Sequence, residues 1–484
     1  MEEEKYIVAL EIGSSKIKGA VGVLEPGGSL TVKAVEEEKL VDSVRYGCIR
    51  NVAETSRTIR LIVDRLESRM APRKIEGVYV AVGGRSVSSS VIDIERRLPN
   101  EQEITSSLID EIFTEALSQP LHERAVIDVT PRDFRVNGAP AKQPVGNYGS
   151  NIIASLNLVS CRSQLLNNLK LVIEERLHLR IRDIFVRQLI EGDLVLLNDE
   201  KRLGCMLVDF GAETTTVSIY KNGALQYLVT LPMGSRNITI DITSLNHLEE
   251  QAEVLKTNGG NAMPGADNAP YTAYGHDFTE INNYISARAG EIIANIMEQM
   301  SIAGFAAENL PGGIIIVGQG AKLNGFTRRL ENMSRMKVRV GMPSSRIRIA
   351  DSHIAPADSV DVIALLNATR DSAVECMTRP APTVTPTPVV VIDEPAVVID
   401  EPKPEPVSQP AAQTAQHKAP DFPYEPVKPI EEKPQPRAEE RKPAAAEDRP
   451  HTVPEPKKPG WGQRMLAGFR DRVADLFTEP NEDE

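Results

Sequence analysis

The chain has 484 residues, 41% hydrophobic and 25% charged, with a formal net charge of −13. At roughly 150 residues per domain the length implies two or three domains, and the acidic balance speaks against a nucleic-acid partner, which needs clustered Lys and Arg. The N-terminal MEEEKYIVAL is acidic where an export signal is basic, and no apolar run approaches the ~18 residues that span a bilayer, so a cytosolic protein is expected. Cys48, Cys161, Cys205 and Cys376 lie far apart without metal-ligand spacing and read as reduced core thiols.

In chain order, VALEIGSSKIKGAVGV comes first: Glu11 ends one predicted strand, Lys16 begins the next, and Gly13-Ser14-Ser15 turns between them. VAETSRTIRLIVDRLESRM has the period of an amphipathic helix starting near Asn51, and KIEGVYVAVGG follows as a strand. SQLLNNLKLVIEERL is again helical and LRIRDIFV extended. CMLVDFGAETTTVSIYKNG then repeats the opening plan with Asp209, Gly211 and Thr214–Thr216. EEQAEVLK places Glu253 and Lys256 on one helical face. EINNYISARAGEIIANIMEQMSIAG is a long helix, and GGIIIVGQGAKLNGF is a buried strand ending in Gly318 and Gly320, with a helix start expected near Leu323. This alternation is α/β.

From Pro380 the composition changes. The stretch to Pro459 holds well over half of the 34 prolines and almost no aromatics, so a disordered linker is expected. Within it VVVIDEP (389–395) recurs as VVIDEP (397–402). GWGQRMLAGFRDRVADLF (460–477) then carries the only Trp. On a helical wheel Trp461, Met465, Leu466, Phe469, Val473, Leu476 and Phe477 fall within an arc of about 160°, with Arg470 and Arg472 near its edges. That is the pattern of a helix lying on an anionic lipid surface.

The repeated phrase has a definite chemistry. A tight hairpin turn offers backbone N–H groups and hydroxyls to a phosphate, a Lys can neutralise it, and a carboxylate can hold a metal-bound water. Two such turns facing one another would clamp a polyphosphate. Gly318 and Gly320 would let an adenine or its ribose lie on the backbone, and Glu253 with Lys256 could grip the ribose hydroxyls; the alternative is a solvated i,i+3 ion pair.

The order of these elements resembles the actin-like ATPase superfamily and, within it, the bacterial cell-division FtsA family. ALEIGSSKI, YGCIRNVAETSRTI, GVYVAVGGRSV, AVIDVTPRDFRVNG, QPVGNYG and NLVSCRSQLLNNL carry the likeness over about residues 5–370, and the tail behind a linker fits it. The resemblance implies an actin-like two-lobed fold with an inserted SHS2-like subdomain. The expected bounds are 1–85 for the first lobe with its phosphate loop, 86–165 for the insert, 166–375 for the remainder and the second lobe, 376–459 for the linker and 460–477 for the membrane-targeting helix. It implies an ATP- and Mg²⁺-binding protein that polymerises and tethers FtsZ to the cytoplasmic face of the inner membrane during division. Later division proteins would meet it through 86–165. Carried over, Glu11, Gly13, Ser14, Ser15 and Lys16 form the first phosphate loop and Asp209, Gly211 and Thr214 the second. Glu253 and Lys256 are the ribose pair, Gly318 and Gly320 the adenosine turn, and Arg288 a position docking the FtsZ tail. Asp209, and Glu11 through water, would hold the metal. Glu11 and Asp209 are also the candidate catalytic residues. Ala212 and Glu213 replace glycines of the family's second loop and Gln319 another in the adenosine turn, so at most slow hydrolysis is expected. An actin-fold small-molecule kinase and a pilus-assembly ATPase are the alternatives.

Overall fold

The computed structural model describes residues 4–265, 278–343 and 347–379. The linker, the repeated VVIDEP element and the 460–477 helix expected from the sequence lie outside the described residues.

Two mixed sheets organise the described part. In the first, Lys5–Ile12, Lys16–Leu24 and Leu30–Lys39 form an antiparallel meander. Gly77–Val82 and then Arg180–Val186 add in parallel on the open side of the first strand. In the second, Cys205–Phe210, Thr215–Lys221 and Ala224–Leu231 form the same meander, and Ile314–Val317 and Val338–Val340 add in parallel at the same places. The repeated phrase is therefore a repeated sheet. Each copy of the phrase is the central hairpin of its lobe.

Central strands with helices on both faces are apolar throughout. Ile7 to Ile12 and Cys205 to Phe210 are buried without interruption, and each run is apolar save for the acid near its end. On the first sheet, helix Val52–Arg69 is capped by Asn51, whose side chain accepts from the Glu54 N–H, and it buries Ile59, Ile62, Val63 and Leu66. Helices Arg187–Val195 and Val360–Ala368 pack together, and one apolar core runs from the first sheet through them to Leu207 and Val317 of the second. Alternation along the second lobe's central strand sends Met206, Val208 and Phe210 to the opposite face. There they meet Ile238, Ile242, Ile285, Ile292 and Phe326 in a separate core. Helix Phe278–Ile302 spans that face as its period predicts.

A third core belongs to the inserted segment. Strands Ser88–Glu103, Arg124–Val136 and Tyr148–Arg162 form one sheet, and helix Ser106–Leu117 seals Ile109, Ile112 and Phe113 against Ile94, Phe134, Ile152 and Leu156. This sheet continues the second lobe's sheet through the pair Ser88–Val229, and the Asn157 amide donates to the Leu225 carbonyl at 2.7 Å.

One expected boundary is corrected. After Ile314–Val317 the chain makes a 3₁₀ turn over Gln319–Lys322, and the α-helix begins at Phe326 rather than near Leu323. Gly325 explains the delay. Its backbone is left-handed (φ 76°), and a Cβ there would lie 2.4 Å from Asn261 Oδ1, so the chain reorients before the helix starts.

Phe326 and Phe210 stack with centroids 4.4 Å apart, and both are fully buried. Phe326→Ala should cost about 3–5 kcal/mol of stability. Urea unfolding of the variant reads it directly, and a cost under ~1 kcal/mol would mean the second core collapses around the gap.

Candidate functional site

The two hairpin turns match position for position. Gly13 N–H donates to the Lys16 carbonyl at 3.1 Å, and Gly211 N–H to the Thr214 carbonyl at 2.9 Å. A Cβ on Gly13 would stand 2.9 Å from the Lys16 oxygen and one on Gly211 3.0 Å from the Thr214 oxygen, so both turns need glycine for the same reason. Glu11 sits opposite Lys18 in the first ladder and Asp209 opposite Thr216 in the second. The turns face one another across a cleft that opens to solvent, walled by Gly47, Gly83, Gly84, Gly318 and the 357–361 segment as well as by the turns themselves.

At its floor the structure brings Glu11 and Asp209 together, through a residue the sequence reading did not name. Arg187 donates from Nη1 to Glu11 Oε1 and from Nη2 to Asp209 Oδ2, each at 2.6 Å. Gln188 Nε2 donates to the same Asp209 oxygen at 2.9 Å. Burial disfavours the Arg187 charge, but Asp209, Glu11 and Glu191 outweigh it and hold the guanidinium pKa well above its ordinary value. Burial raises the Glu11 pKa against the opposing pull of Arg187. Glu191, one helical turn on, lies 3.8 Å from Arg187 Nε, and its Oε2 has no hydrogen-bond partner. Burial, then repulsion from Asp209, pushes its pKa well above the ordinary carboxylate value and so favours its neutral form. Lys18 is also buried and pairs with Asp361 Oδ2 at 2.6 Å. Burial alone would lower its pKa, but Asp361 and then Glu11 raise it.

Two signals for these residues were present in the sequence. Lys18 is the cross-strand partner of Glu11 once the hairpin register is drawn. Arg187 and Glu191 are an i,i+4 charged pair in a stretch, RQLIEGDLV, that is otherwise nearly all buried.

Several of the residues expected at the site make other contacts in this structure. Lys16 lines the cleft, but its ammonium is on Glu37 at 2.6 Å, and the buried cation of that hairpin is Lys18. Ser14 also lines the cleft, and its Oγ accepts the Gly47 N–H at 3.0 Å. The hydrated Mg²⁺ expected between Glu11 and Asp209 does not fit these residues, because both carboxylates already close on a guanidinium. No group of three or more His, Cys, Asp or Glu that could hold a metal occurs among the described residues. Glu253 and Lys256 do not line the cleft. The Lys256 ammonium donates to the Ser235 carbonyl, Thr239 Oγ1 and Glu253 Oε2, which ties helix Glu249–Asn258 to helix Ser235–Thr243. Gly318 and Gly320 are explained by packing: a Cβ would meet the Phe210 carbonyl at 2.5 Å in the first case and the Phe210 ring at 2.7 Å in the second. Arg288 is held bidentate by Asp241, at 2.6 and 2.9 Å, and also bonds Glu291.

Glu213, which stands in place of a family glycine in the second turn, lines the cleft with its carboxylate tied to other groups. Its carboxylate accepts the Tyr46 N–H and ion-pairs with Arg45 at 2.6 Å and Arg236 at 3.0 Å. Arg236 continues to Asp42 and Glu249. This network joins the 42–46 loop of the first lobe to the second lobe.

Comparison with known proteins agrees with this architecture. Residues 206–359 match the family model for cell division protein FtsA, and residues 84–160 match the SHS2 domain inserted in FtsA. The cell division protein FtsA of Porphyromonas gingivalis is 32% identical over 67% of this chain and 70% of its own length. That of Bacillus subtilis is 29% identical over 71% and 80% respectively. Among solved structures, a chain of the PilM-PilN type IV pilus biogenesis complex superposes with a TM-score of 0.54 at 16% identity, covering 74% of this chain and 97% of that one. The fold is the actin-like two-lobed one.

The neutral Glu191 predicts a pH dependence. Its folded pKa lies above 4.5, so its contribution to stability is complete below that pH and is lost as pH rises toward the folded pKa, where the unfolded chain ionises and the native chain does not. Glu191→Gln removes the loss. Its melting temperature should match the parent near pH 4 and exceed it at pH 7, and a gap independent of pH would show that Glu191 is ionised in the native protein.

Proposed function

The chain belongs to the cell division protein FtsA family, and from that premise we propose that it is an ATP-binding, actin-like adaptor that polymerises and tethers FtsZ to the cytoplasmic face of the inner membrane at the division site. The observation that carries this reading is the coexistence in one chain of both family signatures, the second-lobe match and the inserted SHS2 domain, at 32% identity to a full-length relative.

The cleft supports the nucleotide part. Two glycine turns and a glycine wall leave room for a polyphosphate to approach the backbone. Turnover is slow, because Gln188 and Arg187 are already bound to the acidic residues and the Glu213 network resists opening of the lobes. The FtsZ tail docks beside Arg288, whose guanidinium is pre-aimed by Asp241 and Glu291 on a half-exposed helix face. The insert, with its own core, is the contact for neighbouring subunits and later division proteins. No helix among the described residues is long and apolar enough to cross a membrane, and attachment is assigned to the amphipathic 460–477 segment. One such helix binds reversibly, so a filament presenting many of them supplies avidity.

Flotation with anionic liposomes tests the tether. The full chain should carry FtsZ to the vesicles, truncation after residue 459 should abolish this, and Phe469→Glu should weaken it severely. Flotation of the truncated chain would place the anchor elsewhere. Arg288→Ala should lower FtsZ-tail affinity about tenfold, the scale of one good interface contact. Binding of the tail peptide by fluorescence anisotropy measures it, and an unchanged affinity would move the docking site off this helix.

A further inference from the structure

We propose that Arg187 is the resident cation of the cleft, and that the cleft takes the phosphates of ATP without a divalent metal. The inference rests on the nucleotide-binding reading above and concerns how the phosphate charge is met.

Three observations carry it. First, Arg187 stands between the two acids that occupy equivalent places in the two hairpins, with one Nη on each at 2.6 Å. A hydrated divalent ion held by both acids would have to displace a guanidinium that already satisfies them. Second, Arg187 has donors left over. A guanidinium carries five N–H groups, more than its two bonds to carboxylate oxygens consume, and the side chain lines the cleft. Planar N–H pairs of this kind recognise phosphate oxygens directly. Third, the surrounding charges are balanced without a metal. Lys18 answers Asp361, and Arg187 answers Glu11 and Asp209, so the two hairpin acids already have a cation.

A polyphosphate entering over the Gly13 and Gly211 turns therefore meets backbone N–H groups and a fixed guanidinium. The geometry resembles an ion pair more than a metal complex. It also makes Arg187 the residue that frees ATP binding from any requirement for magnesium.

The test is ATP binding to the full chain, followed by thermal shift and by equilibrium dialysis of labelled ATP, in excess EDTA and in excess Mg²⁺. The expected result is an apparent Kd in EDTA within about threefold of that in Mg²⁺. Binding at least about tenfold weaker in EDTA would overturn the proposal and leave the nucleotide reading standing; no binding in either condition would overturn both. Arg187→Gln should lose at least about tenfold in EDTA and recover part of it on adding Mg²⁺, because Glu11 and Asp209 are then free to orient a hydrated ion. An unchanged Kd for Arg187→Gln in EDTA would overturn the proposal. If that variant does not fold, the two conditions on the parent chain decide the question alone, and Arg187→Lys, which keeps the charge but not the fork, should retain metal-independent binding at reduced affinity.

Discussion

One guanidinium joins the two halves of this molecule. The fold is a duplicated sheet, and each copy ends its central strand with a buried acid at the same turn position. Two buried carboxylates facing one another across a cleft repel and resist desolvation, so something of opposite charge has to stand between them. Here it is Arg187, contributed by the helix that crosses between the sheets. Breaking one side of such a pair costs about 3–5 kcal/mol, so the relative placement of the lobes is strongly coupled to a single side chain.

The same helix explains the rest of the floor. Its apolar residues Leu189, Ile190, Leu194 and Val195 bind it into the core that spans both sheets, so its polar residues have little freedom of position. Gln188 is directed onto Asp209, and Glu191 is left largely buried beside Asp209, where burial and that neighbouring charge favour its neutral form. Toward the solvent, the Glu213 network repeats the logic with more exposed groups. Asp42 and Arg45 from one lobe and Glu213, Arg236 and Glu249 from the other close a ring of ion pairs over the mouth. These outer pairs are partly solvated and individually weak, so they tune the cleft where Arg187 defines it.

The Gly318 side of the cleft is organised by aromatic packing. Phe210 follows Asp209 directly, stacks on Phe326, and presses against the backbone at Gly318 and Gly320. The glycines are there so that the strand end carrying Asp209 can sit tightly against the next turn. A site residue is thus held in place by a core contact one position away, which is how a rigid scaffold fixes a side chain to within a few tenths of an ångström.

Much of this was legible in the sequence. The repeated phrase announced the duplication because a glycine turn after a buried acid leaves the same trace wherever it occurs. The strands and helices followed from periodicity, Asn51 as a cap from its place before an amphipathic run, and the family from the order of motifs along residues 5–370. All of these are local or near-local constraints. What only the tertiary structure decided is which charges meet. Lys16 and Lys18 lie two residues apart on one strand, but one reaches the surface acid Glu37 and the other the half-buried Asp361, contributed by a helix more than 300 residues away. Arg187 is far in sequence from Glu11 and comes between it and Asp209 only when two sheets and a crossing helix are assembled. Coulomb energy depends on distance and burial, neither of which a linear sequence contains, so the sequence could name the acids but not the cation that answers them.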